Sequence, residues 1–428
     1  MNVLVIGSGG REHALCWKIK QSPLVQKVYC APGNAGITSE AQCVDISVSD
    51  FDSLIDFAVK NSIELTIVGP EQPLSEGIVD LFEENGLKIF GPCQAAAELE
   101  GSKVFSKNLM KKYKIPTAEY STFTDLNSAL SWIKHINLPF VVKADGLAAG
   151  KGVIICNSPS EGENALNSIM KDKIFGEAGS EVVVEEFLRG EEASFFVFTD
   201  GKNFIPLQSS QDHKAAYDDD KGPNTGGMGA YCPAPIVNEK IREKVIDSVV
   251  VPTINAMESE GRLYKGILYF GLMISGEDIK VLEYNCRFGD PEAQPLLFRL
   301  KNDIVPIMDC IASGGELKQI KLDWKPGYSV CVVMASSGYP GKYEKEHEIK
   351  GLDSFNENDD IYVFHAGTKY SNSKTVTNGG RVLGVTAVGD DLVSTIDKTY
   401  TAVNKINCPN LFNRSDIGKK ALKYISIE

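Results

Sequence analysis

Val281-Leu282-Glu283-Tyr284-Asn285-Cys286-Arg287 sets a carboxylate, an amide and a guanidinium at every second position. On a strand, alternate side chains share a face, so Glu283, Asn285 and Arg287 are expected to project together. A carboxylate and an amide oxygen so placed suit a hard cation such as magnesium, which takes oxygen ligands and fills its shell with phosphate oxygens. The arginine beside them suits a transferring phosphate or an anionic substrate. A plain solvent-facing edge strand is the alternative, but the next segment, Phe288-Gly289-Asp290-Pro291-Glu292, is too rich in glycine and charge to be core filler.

Two glycine-rich loops add phosphate chemistry. Lys143-Ala144-Asp145-Gly146-Leu147-Ala148-Ala149-Gly150-Lys151-Gly152 lies between two apolar runs. Its spacing is one residue short of a P-loop, and Gly152 stands where that loop has Ser or Thr. It reads instead as a hairpin closing over a polyphosphate, with Lys143 reaching the phosphates from the strand end. An ordinary hairpin is the rival, and the flanking lysines argue against it.

The other loop, Gly7-Ser8-Gly9-Gly10-Arg11-Glu12, begins like a dinucleotide fingerprint but carries Glu12 at the sixth position. The following strand runs into Cys30-Ala31-Pro32 with no acidic residue for a ribose, so a nicotinamide or flavin is disfavoured. A phosphate on backbone N–H groups at a helix start, helped by Arg11, fits better than a bare turn. Val182 to Glu192 is less specific. Its strand and connector can cradle an adenine, with a ribose on a far carboxylate, and surface charge explains it equally well.

The elements that must position these residues follow from periodicity. Asn2–Ile6, Val25–Cys30, Leu65–Val68 and Leu87–Phe90 read as strands stopped by glycine or proline, with helices between them, the pattern of an open parallel α/β sheet. One mixed helix is expected over Glu98–Lys112. A compact unit follows to about Glu192, with strands at Phe140–Lys143, Gly152–Cys156 and Glu181–Glu185. Ala193–Phe198, Leu268–Ile274 and Lys280–Tyr284 read as strands of a larger unit, covered by helices near Lys240–Glu258 and Leu296–Ala312. A small mixed α/β piece follows Pro326, with strands at Val330–Met334, Tyr362–Phe364 and Arg381–Ala387 and a helix over Leu392–Val403.

At 428 residues the chain is too long for one core. Its net charge of -13 argues against nucleic acid or anionic membrane as partner. No apolar run is long enough to span a bilayer. The 10 scattered cysteines, with no close C-x-x-C pair, point to reduced thiols and a cytoplasmic location.

Taken together these residues resemble the ATP-grasp superfamily and, within it, the phosphoribosylamine–glycine ligase family. The resemblance runs over nearly the whole chain. It rests on Gly7-x-Gly-Gly-Arg-Glu-His13, Ala31-Pro-Gly-Asn-Ala-Gly36, Val68-Gly-Pro-Glu71, Phe90-Gly-Pro92, Leu99-Glu-Gly-Ser-Lys103 and Lys143 to Gly152. Gln211-Asp-His-Lys214, Gly222 to Tyr231, Asn285 to Glu292 and Phe364-His-Ala-Gly-Thr368 complete it.

The resemblance implies a three-part α/β architecture: an N-terminal substrate-binding domain (1–101), an ATP-grasp core (102–325) with a mobile lid at about 116–192, and a C-terminal domain (326–428). It implies ATP and Mg2+ (or Mn2+), a monomer, and the small substrates glycine and 5-phosphoribosylamine, joined through glycyl phosphate. Lys103, Lys143 and Arg287 would offset phosphate charge, with Gly150, Lys151 and Gly152 in the loop above. Glu185, Glu186 and Leu188 would line the adenine and Glu192, or its neighbour Glu191, the ribose. Glu283 and Asn285 match the family's metal ligands, while Gly271 stands on the strand where many relatives have a second glutamate. The sugar phosphate would lie against Gly9, Gly10 and Arg11. Asp212, His213, Lys214, Asp290 and Glu292 are candidates for the amine and the glycine. Another ligase or carboxylase on the same scaffold, or a non-catalytic nucleotide-binding regulator, remains as an alternative.

Overall fold

The computed structural model describes residues 1–147, 152–317, 320–355 and 360–425. Its first sheet is parallel, with β1 (Asn2–Gly7), β2 (Lys27–Pro32), β3 (Gln42–Cys43), β4 (Ile63–Val68) and β5 (Ile89–Phe90) in the order 3-2-1-4-5. Val3, Leu4, Val5 and Ile6 are all fully buried, because helices cover both faces, and so the strand is continuously apolar rather than alternating. The strand order reverses at β1. Ligand crevices of open α/β sheets form at the carboxyl ends of strands beside such a reversal, which here is the turn entering the Gly10–Lys20 helix.

The single helix expected over Glu98–Lys112 is two, Gln94–Gly101 and Lys103–Lys112. Ser102 divides them in extended conformation, and its hydroxyl accepts from the Phe105 N–H at 2.9 Å, a serine N-cap. The Leu296–Ala312 helix likewise divides into Ala293–Arg299 and Val305–Ala312, where the Asp303 carboxylate accepts from the Val305 N–H. Both breaks come from short polar side chains that compete for backbone donors, which apolar periodicity does not register.

The next unit is an antiparallel sheet of β6 (Tyr120–Phe123), β7 (Phe140–Ala144), β8 (Val153–Cys156) and β9 (Val182–Glu186) in the order 6-9-7-8. It has its own core, with Phe140, Val142, Leu166, Ile169 and Val184 fully buried. A separate core lets such a unit move as a body, and the glycine-rich loop joins β7 to β8.

The chain continues through β10 (Glu191–Thr199), β11 (Phe204–Pro206), β12 (Gln211–Asp212), the hairpin of β13 (Ala215–Tyr217) and β14 (Lys221–Asn224), and β15 (Gly229–Cys232). β16 (Gly266–Ser275) and β17 (Asp278–Asn285) complete a four-stranded antiparallel sheet in the order 11-10-16-17. Between them the register slips: Gly271 pairs with Glu283 and Leu272 with Val281, so Leu282 is an extra residue on β17. The bulge changes the phase of alternation, with Ile279 and Val281 in the core before it and Tyr284 after it.

Beyond residue 326 come β18 (Tyr328–Ser336), β19 (Ile361–His365), the hairpin of β20 (Thr368–Ser371) and β21 (Lys374–Thr377), β22 (Arg381–Gly389) and β23 (Leu411–Phe412). These do not form a sheet by themselves. β20 and β21 pair only with each other, while β12 and β15 join the rest in the order 12-15-18-22-19, with β23 on β18. Asp212 is therefore held at the edge of a sheet whose other strands are mostly C-terminal. At a second junction, a Cβ on Gly36 would lie 2.3 Å from the His365 ring, so only glycine fits there. Among the described residues, no helix is long and apolar enough to cross a membrane.

Candidate active site

A cleft of about 640 Å³ opens where the N-terminal sheet, the lid and the antiparallel core converge. Arg11, Glu71 and Glu100 enter from the first body, and Lys143, Gly152, Glu185, Glu186 and Leu188 from the lid. Lys103, Glu192, Asp212, Lys214, Glu283, Asn285, Arg287, Asp290 and Glu292 also line it, with Arg381 from β22. Gly150 and Lys151 lie outside the described residues.

The bulge at Leu282 explains how one strand gives the cleft both an apolar and a charged surface. Leu282, Glu283 and Asn285 all line it, while Val281 is buried in the core. The Lys214 ammonium, 3.4 Å from the Glu283 carboxylate, holds that group down at about 2 against the opposing effect of burial, with Lys143 and Lys103 adding to the pull. Glu283 is thus an anion at any physiological pH. Opposite it, Gly271 offers no side chain. A carboxylate and an amide are donors that suit magnesium, which commonly takes one or two protein oxygens and completes its shell with phosphate and water. Among the described residues, no cluster of three His, Cys, Asp or Glu could hold a metal unaided. The donor set therefore fits a cation that arrives with a polyphosphate.

Lysines stand around this point. Lys103 donates to the Gly146 carbonyl at 2.8 Å, which ties the start of its helix to the glycine-rich loop. Lys143 forms a very short ion pair with Glu185 and reaches the Leu282 carbonyl at 3.4 Å. Glu185 is only 2% exposed and its other oxygen pairs with Lys107 at 2.5 Å. Its carboxylate is thus paired with two lysines, while the residue lines the cleft at the wall expected for an adenine. Glu186, Phe187 and Leu188 line the same wall. Glu192 faces the cleft and pairs with Lys214 at 3.0 Å, whereas Glu191 turns outward to Lys423.

Arg287 is clamped between two carboxylates of the N-terminal region, Glu71 at 3.1 Å and Glu100 at 2.8 Å. The two differ in charge state. Burial pushes Glu100 up to about 7, while Arg287 and Arg11 overcome burial and hold Glu71 at about 2.

A second set of cleft residues is acidic. Asp212 is pushed well above the carboxylate range by burial and by the nearby Glu292. Glu292 accepts from the Ser194 hydroxyl at 3.0 Å. Asp290 accepts from the Gln294 amide at 2.8 Å, while the Gln294 carbonyl oxygen is buried with no partner among the described residues. A buried carboxylate in the position of Asp212 is relieved by a proton or by a nearby cation, such as a substrate ammonium.

One sequence expectation is corrected here. His213 does not face the cleft: it is 1% exposed, one ring nitrogen lies 3.2 Å from the Gly229 carbonyl, and the other accepts from the Gly418 N–H. His213 follows β12 directly and stays paired to Gly229 through its backbone N–H, with its side chain buried while Asp212 lines the cleft. Two N–H groups of the first loop already have acceptors within the chain. Gly9 donates to Glu12 at 2.5 Å, and the Arg11 N–H donates to Asp290. Glu12, which spoils the dinucleotide fingerprint, fills the turn in place of a ligand, packing on Gly7 and Gly69. Of the expected trio only the Arg11 side chain lines the cleft.

Sequence reasoning also missed Glu71, Glu100, Lys107, Leu282 and Arg381. Glu71 ends a strand-terminal Gly-Pro-Glu run that pointed to it, but nothing local marks Arg381. Its guanidinium reaches the Gly226 carbonyl at 2.6 Å and lies 3.6 Å from the Asp290 carboxylate, a placement only the tertiary fold creates.

The chain matches family models described as the N domain (residues 1–100), the ATP-grasp (A) domain (residues 101–293) and the C domain (residues 329–420) of phosphoribosylglycinamide synthetase. It is 50% identical over 425 residues to a Vibrio cholerae protein named phosphoribosylamine–glycine ligase, covering 99% of each chain. A Pseudomonas aeruginosa protein of the same name is also 50% identical, over 99% of this chain and 98% of its own. A crystal structure of phosphoribosylamine–glycine ligase from Thermotoga maritima superposes with a TM-score of 0.85 at 33% identity, over 97% of this chain and all of that one. The biotin carboxylase domain of a Hydrogenobacter thermophilus 2-oxoglutarate carboxylase shares the fold, with a TM-score of 0.74 at 18% identity over 96% of this chain and 91% of that one. With family models spanning nearly all of the chain and half of its residues shared with full-length relatives, the chain belongs to the phosphoribosylglycinamide synthetase family.

Proposed function

We propose that this chain is an ATP-dependent ligase that joins glycine to 5-phosphoribosylamine, giving glycinamide ribonucleotide, ADP and phosphate. The observation that carries the reading is one cleft that brings together two chemically different sets of side chains. One set is Lys103, Lys143, Glu283 and Asn285, and the other is Asp212, Asp290 and Glu292. The full-length similarity to proteins named for this reaction supports it.

The adenine of ATP lies against Glu186 to Leu188 and its ribose against Glu192. The triphosphate runs beneath the glycine-rich loop toward Lys103 and Lys143. Glu283 and Asn285 would hold magnesium, which when bound neutralises charge on the phosphates. A glycine carboxylate is a poor electrophile, and its oxygen is a poor leaving group. Transfer of the terminal phosphoryl group to that oxygen gives glycyl phosphate and ADP. The phosphoribosylamine nitrogen then attacks the acyl carbon, phosphate leaves, and the nitrogen loses a proton. No protein nucleophile is needed, so the chain's work is positioning and charge neutralisation. A donor aimed at charge that develops in the transition state is worth ~3 kcal/mol. Asp212 and Glu292 hold the glycine ammonium, and Arg11 and Arg381 are the cations available to the sugar phosphate. The lid, when closed, shields the acyl phosphate from water.

The test is ADP release by the purified chain with freshly generated phosphoribosylamine. ADP is expected to form in step with ligated product only when glycine and the amine are both present. ADP formation that ignores glycine while responding to another acid would overturn the assignment.

A further inference from the structure

Lys107 lines the same cleft but has no part in the chemistry above. It lies on the Lys103–Lys112 helix and is 2% exposed. Its ammonium pairs with one oxygen of Glu185, while Lys143 pairs with the other. It also donates to the Thr117 hydroxyl at 2.7 Å, which in turn donates to the Val281 carbonyl at 2.8 Å. Thr117 follows Pro116, whose carbonyl accepts from the Val281 N–H, so this is where the chain leaves the core for the lid. The network joins the lid strand carrying Glu185 to the core strand carrying Glu283.

The proposed reaction asks Lys143 to leave Glu185 for a phosphate. A carboxylate buried this deeply is strongly disfavoured once its last cation departs. We propose that Lys107 is a positioning residue that acts through Glu185. As the resident countercharge, it keeps Glu185 neutralised and so releases Lys143 to the transferring phosphoryl group. The assignment rests on the reading that Lys143 meets that phosphate.

Steady-state kinetics of the full chain separate this role from simple structural support. Lys107→Met is expected to lower kcat/KM for ATP by about tenfold or more, with the KM for glycine within about twofold. Adding Glu185→Gln to it should recover most of the loss, because a neutral amide has no hold on Lys143. Lys107→Arg, which keeps the charge, should stay near the parent. If Lys107→Met folds poorly, Thr117→Val loosens Lys107 without removing a charge, and should show a smaller loss that Glu185→Gln again relieves. A double variant no better than the single one would overturn the proposal, as would Lys107→Met with parental ATP kinetics. Lys143→Met should lose activity that Glu185→Gln does not restore. Full activity in Lys143→Met would instead overturn the phosphate assignment beneath it.

Discussion

Exchanging Glu283 for glutamine is expected to lower kcat by about a hundredfold or more, the scale of a lost transition-state electrostatic contact. It should also raise the divalent-cation concentration needed for half-maximal rate. The substitution keeps shape and volume and removes only charge. Glu283 is the carboxylate of the Glu283–Asn285 donor pair, and the residue paired with it on β16 is Gly271, which has no oxygen to substitute. Lys214, now bonded to both Glu283 and Glu192, would keep only Glu192, which leaves its positive charge beside the cation site less compensated. Both effects weaken cation binding, so they add in the same direction. Rates measured against magnesium concentration at saturating ATP check this. Unchanged cation dependence would remove Glu283 from the metal site.

The second large effect belongs to the acidic set. Asp212→Asn or Glu292→Gln is expected to raise the KM for glycine by about one to two orders of magnitude, with the KM for ATP little changed, since a charge-assisted contact to a buried ammonium is worth about 1.5–3 kcal/mol. The two carboxylates act as a unit around one cation, so the double variant should lose much less than the product of the single losses. Initial rates with glycine varied at saturating ATP give the answer. A fall in kcat with no change in glycine KM would mean the pair serves the chemical step rather than holding the substrate.

Much of this was legible in the sequence because short-range rules govern it. The β1 and β4 runs with their glycine endings predicted a parallel sheet, and the 392–403 spacing matched its helix residue for residue. The Glu-x-Asn-x-Arg run supplied cleft residues even though a bulge lies beside it, because Leu282 shifts the phase before Glu283 and leaves alternation intact from there to Asn285. What stayed hidden depends on partners distant in the chain. Glu185 reads as an available carboxylate until Lys107 and Lys143 are seen to consume it. His213 looks like a site residue by proximity to Asp212 and Lys214, yet its side chain is buried. The union of β12 and β15 with the C-terminal strands, and with it the approach of Arg381 to Asp290, leaves no local mark.

Supplying glycine labelled with heavy oxygen in its carboxylate and analysing the released phosphate by mass spectrometry tests the central claim most directly. If the carboxylate is activated by phosphorylation in this cleft, each phosphate formed with product carries one labelled oxygen from glycine. Phosphate free of label, formed at the same rate as product, would contradict the account.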